Sequence, residues 1–169
     1  TTVPVTLNDV IYHCKAVARG LRRPFLMADM PFMTYTSREQ ALQNAVRLMQ
    51  EGGAKMVKLE GGAGQVEIVE FLASHDIAVC AHLGLKPQSV HKTGGFRVQG
   101  RDEAAAEQMK RDAKALQDAG ADVVLLECIP SQLGAEITAE LHVPVIGIGA
   151  GPDTDGQILV LYDVLDITP

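Results

Sequence analysis

The sequence predicts an α/β fold, a (β/α)8 TIM barrel with about six of its eight strands in this chain, and three observations predict it. Six short apolar runs, residues 24–29, 56–60, 77–83, 122–127, 143–149 and 157–162, are dominated by Val, Ile, Leu, Met and Ala. That is the composition of strands buried on both faces of a parallel sheet. Amphipathic helix patterns separate most of the runs, which is the alternation of βαβ units. Four of the runs carry a charged residue or histidine at or next to their ends, at the strand termini where barrels and doubly wound sheets alike gather their active sites.

The elements follow in chain order. Thr6-Leu7-Asn8-Asp9 opens a helix that runs to about Gly20. Thr36 with Glu39 forms a capping box for a helix through Leu42, Ala45, Val46 and Met49, stopped by Gly52 and Gly53. Val66, Val69 and Leu72, with Ile68 and Phe71 alongside, mark a third helix. The acidic start at Asp102 and Glu103 and the stop at Gly120 bracket an Ala-rich helix whose exposed face carries Glu107, Lys110, Arg111 and Lys114. Ser131 caps a further helix. Residues 84–100, containing Gln88, Ser89, His91, Gly94 and Gly95, form a long connection with no clear helix or strand, the length at which loops serve as lids or substrate contacts.

Eight-stranded barrels take about 250 residues and rarely fewer than about 200, against 169 here. The opening helix has no strand before it. We therefore expect one or two strand–helix units before Thr1, and a stop at Pro169 soon after the last strand. Six strands in a doubly wound sheet are the alternative, although no GxGxxG turn follows the first strand.

Composition bounds the function. With 47% hydrophobic and 21% charged residues the chain buries a real core and reads as one domain over residues 1–169. A net charge of -6 without any run of Lys or Arg argues against nucleic-acid or anionic-membrane partners. No apolar stretch approaches the roughly 20 residues that span a bilayer, and no signal-peptide layout is present, so a cytoplasmic location is expected. Cys14, Cys80 and Cys128 lie far apart, without disulfide or zinc spacing, and read as buried hydrophobes. His13, His75 and His142 lie in or beside helices and read as surface residues.

The candidate chemistry sits at the strand ends. Asp29 closes the first run, Lys58 and Glu60 the second, His82 lies near the end of the third, and Glu127 closes the fourth. Buried acids there need a cation, a lysine or a substrate beside them. Asp29 and Glu60 suit one hard cation such as Mg2+, or else are two acids paired with lysines. Lys58 and Glu60 are two apart and share a side of the strand, which suits an anionic ligand beside a metal, or a plain ion pair. His82 is a hydrogen-bond donor to a ligand or a satisfied core histidine. Glu127 is a candidate general base whose pKa an apolar setting raises, or a helix-capping acid. The glycines of residues 147–151 allow close backbone approach and suit an anion.

These segments, in this order, closely resemble the ketopantoate hydroxymethyltransferase family. The motifs are VPVT (3–6), ADMPFMTY (28–35), VKLEGG (57–62), AHLGLKPQSV with GGFRVQGR (81–101), LLECIP (125–130), PVIGIGAG (144–151) and DGQILVLYD (155–163). The resemblance implies a barrel of the phosphoenolpyruvate/pyruvate type in a cytoplasmic homo-oligomer, usually a decamer. It implies transfer of a one-carbon unit from 5,10-methylenetetrahydrofolate to 3-methyl-2-oxobutanoate in pantothenate and coenzyme A synthesis, with Mg2+ chelating the 2-oxo acid. By matching motifs, Asp29 and Glu60 are metal-site acids, Asp29, Lys58 and His82 are substrate contacts, and Glu127 is the proton acceptor. The family's Asp-Ser pair on its second strand, another metal-site acid and substrate contact, is not in this sequence. At Asp166 the family usually carries glycine. Two other functions fit the same strand ends: a Mg2+-dependent lyase or aldolase acting on a 2-oxo acid without folate, and an inactive fragment that only binds ligand.

Overall fold

Six parallel strands lie side by side in the order in which the chain makes them: β1 (Met27–Asp29), β2 (Met56–Glu60), β3 (Val79–Gly84), β4 (Val123–Glu127), β5 (Val145–Ile148) and β6 (Gly156–Gln157). This is a computed structural model, and it describes residues 2–167. The expected strand–helix units before Thr1 and the stop at Pro169 lie outside the described residues. A doubly wound sheet reverses its strand order at a switch point. Here the order never reverses, so the sheet is a curled, parallel half-barrel.

The helices are α1 (Leu7–Gly20), α2 (Arg38–Gln50), α3 (Val66–Ala73), α4 (Val90–Thr93), α5 (Glu103–Asp118), α6 (Ser131–Glu140) and α7 (Leu161–Val164). α1 begins as expected: Thr6 accepts from the Asp9 backbone N–H while the Asp9 carboxylate accepts from the Thr6 N–H at 2.9 Å. At α2 the cap moves one residue on. Ser37 accepts from Gln40 N–H, and the Gln40 side chain reaches back to Thr36 N–H at 2.8 Å, so Glu39 is left out of the box. Ser131 is the first helical residue of α6, after Pro130, and its side chain caps nothing. Residues 84–100 are less irregular than expected, since a 3-10 turn at Pro87–Ser89 leads into α4, which Gly94 ends in the left-handed region. None of the described helices is long and apolar enough to cross a membrane.

Alternation along each strand divides the molecule in two. Outward-facing Val57, Leu59, Val79, Ala81, Leu83, Val124, Leu126 and Val145 meet the helices in one large core with Leu48, Leu72, Leu116 and Ile137. Inward-facing Met56, Cys80 and Leu125 form a smaller cluster, joined by Met27, Val123 and Ile148.

The last apolar run departs most from expectation. Pairing to β5 covers only Gly156, Gln157 and one further hydrogen bond from Ile158 N–H to Gly147 O at 3.0 Å. Leu159 stands 67% exposed and Leu161 64%, and the chain turns into the single turn of α7. A strand is favoured when its faces are covered and both edges are paired, and among the described residues nothing pairs with this segment's far edge. Asp166 adopts φ +54, the left-handed conformation that glycine takes freely and that aspartate tolerates better than most residues.

Candidate active site

The inward positions of β1 to β4 climb from an apolar floor to a titratable rim. Above Met56, Cys80 and Leu125 stand Asp29, Lys58, Glu60, His82 and Glu127, and all five line one cleft of about 410 Å³. Apolar Val5, Val10, Ile148 and Ile158 complete its walls. Every rim residue singled out in the sequence is therefore at the same mouth.

The sheet's stagger turns these residues into a diagonal of contacts. In register, Asp29 pairs with Lys58, Glu60 with His82, and Gly84 with Glu127. Lys58 Nζ lies 2.8 Å from Asp29 Oδ1 and 3.3 Å from His82 Nδ1, and His82 Nε2 lies 3.1 Å from Glu127 Oε2. Burial disfavours the Lys58 ammonium, but the Asp29 carboxylate and its hydrogen bond outweigh burial and carry the pKa above its ordinary value. Lys58 is thus charged and has no acceptor site, so His82 Nδ1 must accept from it. The proton of neutral His82 is then on Nε2, facing Glu127. Burial holds the pKa of His82 below its ordinary value in spite of the Glu127 contact. His82 is 1% exposed, and its Nε2 is near Glu127 without the alignment of a regular hydrogen bond. A buried N–H in that state is poised for a better acceptor.

Glu60 is held differently. Its Oε2 accepts from the Gln88 backbone N–H at 3.0 Å, and burial raises its carboxyl pKa more than Lys58 and that hydrogen bond lower it. Gln88 also donates from Nε2 to Met30 O at 2.8 Å and accepts from the Tyr35 hydroxyl at 2.7 Å. The Tyr35 oxygen lies 3.4 Å from Glu60 N, and burial pushes the Tyr35 hydroxyl pKa up to about 12. Gln88 and Tyr35 thus tie the loops after β1, β2 and β3 around Glu60. The sequence named Gln88 only as part of the 84–100 connection and Tyr35 only within a motif, neither as a site residue in its own right. No local signal marks Gln88 for burial, since the loop around it is polar, with Lys86, Ser89, His91 and Lys92 close by; its burial is a tertiary fact.

Glu127 is aimed by its backbone. Gly84 (φ +90) leaves no room for a side chain: a Cβ there would lie 2.1 Å from Glu127 O. That close approach lets Leu85 N–H donate to Glu127 O at 2.8 Å. Cys128 follows with φ +51, a conformation few non-glycine residues adopt, held by its N–H bond to Ile148 O at 2.9 Å. Cys128 is also only half-buried, unlike the fully buried Cys14 and Cys80, because its position is set by this turn.

Residues 147–151 do not form an anion seat at this mouth. Only Ile148 among them lines the cleft, and Gly151 is explained by packing, since a Cβ on it would meet Ser131 Cβ at 2.4 Å. His13, His75 and His142 are exposed, as expected.

Among the described residues no three acidic, histidine or cysteine groups converge as a metal cage. Asp29 and Glu60 supply carboxylate oxygens to one cleft, and the Glu60 pKa marks an anion short of compensating charge. Two carboxylates fit Mg2+, which is commonly held by one or two protein acids and completes its shell with substrate and water.

The sequence matches a family model described as ketopantoate hydroxymethyltransferase over residues 1–169. It is 60% identical over 168 residues to the 3-methyl-2-oxobutanoate hydroxymethyltransferase of Halorhodospira halophila, covering 99% of this chain and 61% of that protein. It is 60% identical over 169 residues to the enzyme of the same name from Alkalilimnicola ehrlichii, again with 61% of that protein covered. The chain thus spans about three fifths of the length of these curated relatives. Among solved structures, a putative phosphonomutase from Burkholderia cenocepacia superposes with TM-score 0.72 at 14% identity, over 96% of this chain and 74% of that one. A 2,3-dimethylmalate lyase of the PEP mutase/isocitrate lyase superfamily gives 0.67 at 15% identity, over 98% and 62%. At such identities the likeness concerns the fold.

Proposed function

The chain belongs to the ketopantoate hydroxymethyltransferase family, and from that premise we infer that its cleft binds 3-methyl-2-oxobutanoate and serves its hydroxymethylation to ketopantoate, with 5,10-methylenetetrahydrofolate as one-carbon donor. The observation that carries this reading is the diagonal Asp29–Lys58–His82–Glu127, which sets a fixed positive charge and a carboxylate base about one buried imidazole.

Lys58 has three N–H donors. Asp29 and His82 take two, leaving one for the carboxylate of the 2-oxo acid. Asp29 and Glu60 would hold Mg2+, which when bound acts as a Lewis acid toward the keto group and so acidifies the C3 hydrogen. Glu127 takes the proton as the C3–H bond breaks, and His82 Nε2–H, beside it, is placed to donate to a developing negative charge. One water adds at the donor's methylene carbon, freeing tetrahydrofolate and leaving that carbon at the oxidation level of formaldehyde. C3 forms its bond to this carbon, and the alkoxide that results takes back the proton held by Glu127. Nothing is oxidised or reduced in the sum. The same reading carries the pantothenate and coenzyme A pathway, a cytoplasmic setting and a homo-oligomeric, decameric assembly, all supported by family membership.

The test is ketopantoate formation by the purified protein with and without Mg2+ and folate, in the parent and in Glu127→Gln. Turnover should need both additions and fall about 100-fold or more in the variant. Full turnover by Glu127→Gln removes Glu127 as the base, and turnover of the 2-oxo acid without folate favours a lyase.

A further inference from the structure

Above the strand ends, the reaction cleft is the first of three cavities in a row. It shares Glu60 and Gln88 with a cavity of about 440 Å³ that lies between the loops after β1, β2 and β3. That cavity in turn shares Gly62 and Lys86 with a third, of about 220 Å³, against α5.

The middle cavity has a chemistry the reaction cleft lacks. Phe32 and Met33 line it while standing 42% and 58% exposed, and Met33 is held there at φ +62. Held open at a cavity mouth, a phenyl ring offers a flat face to stack on and a thioether a polarisable contact for an aromatic ring. Glu67 lines the same wall with one carboxylate oxygen on Arg38 at 3.3 Å. Its carboxylate is an acceptor for N–H groups in a ring plane. Lys86, at the boundary with the third cavity, forms no ion pair among the described residues.

A ligand that matches this row is long, with a flat N–H-bearing heterocycle at one end and a carboxylate at the other. We propose that the middle cavity seats the pterin ring of the tetrahydrofolate co-substrate, stacked at Phe32 and Met33 and hydrogen-bonded toward Glu67, with its carboxylate tail led past Lys86 into the third cavity. This rests on the function proposed above and deepens it. The pterin end lies next to the shared wall of Glu60 and Gln88, so the one-carbon group it carries is presented to the 2-oxo acid across that wall.

Two measurements on the purified protein separate the two readings. The first follows exchange of the C3 hydrogen of 3-methyl-2-oxobutanoate for deuterium, by NMR in D2O with Mg2+ and no folate. The second is calorimetric binding of 5-formyltetrahydrofolate, a stable folate, repeated with Phe32→Ala and Lys86→Gln, both exposed enough to substitute without opening the core. Folate binding should weaken about tenfold in each variant, while exchange stays within about twofold of the parent. Unchanged folate affinity in both variants, with exchange intact, overturns the pterin seat and leaves the proposed function standing. Absent exchange in a parent whose folate binding still depends on Phe32 and Lys86 overturns the proposed function and supports the seat.

Discussion

The two faces of β4 are separated by one residue of alternation and do opposite work. Val124 and Leu126 face the helices, fully buried among apolar neighbours, whereas Leu125 and Glu127 face the barrel interior and end in a carboxylate beside His82. β2 repeats the division, with Val57 and Leu59 outward and Lys58 and Glu60 inward. The outer face is packed and apolar and sets stability; the inner rim is polar, with Lys58 on Asp29 and His82 beside Glu127. Functional sites commonly forgo stability in this way.

Three substitutions or conditions probe that division. Leu126→Ala should have the largest effect on folding, a loss of about 2–5 kcal/mol in denaturant unfolding, because it opens a cavity between sheet and helices. A loss under about 1 kcal/mol would mean that the outer face is not tightly packed. Lys58→Met acts on both stability and binding. It takes the cation from Asp29 and from the buried Glu60, so stability falls, and loss of a charge-assisted contact should weaken 2-oxo acid binding about 10- to 100-fold. Retained affinity in calorimetry would remove Lys58 from the substrate site.

The smallest effect is on pH dependence. The folded-state pKa of His82 lies below its unfolded value of 6.5. A depressed pKa leaves the folded state short of a proton in acid, so its stability contribution is present above 6.5 and is lost as pH falls toward the folded value. The slope in that window is at most about 1.4 kcal/mol per pH unit. Glu60 has the opposite sign: its raised pKa gives a contribution present below its unfolded value of 4.5 and lost as pH rises through the folded one. Stability measured from pH 7 downward should fall below 6.5 in the parent and fall less steeply in His82→Gln. Identical slopes would show that folding leaves the imidazole pKa unshifted and would remove its depression by burial.

Local chemistry made much of this legible in the sequence. The runs behind β2 to β5 begin or end within two residues of the strands, because β-branched and aliphatic clusters between helix caps have few other ways to be buried. The inward position of Lys58 and Glu60 follows from a spacing of two, and Asp29, His82 and Glu127 were findable as polar residues closing apolar runs. The motifs added the family, which periodicity could not have supplied.

The partners were not legible. Lys58 meets His82 across 24 positions of sequence and Glu127 sits beside Gly84 across 43, and both contacts are fixed by strand register and stagger, which no local propensity encodes. The Gln88–Tyr35 clamp depends on loops that meet only after the strands have paired. The last apolar run shows the same limit from the other side, since its composition favours a strand yet only Gly156 and Gln157 find a partner. By itself the sequence determined which residues face inward at the strand ends, because alternation is a property of one strand. Tertiary structure alone decided which charge touches which, because that depends on how neighbouring strands slide past one another.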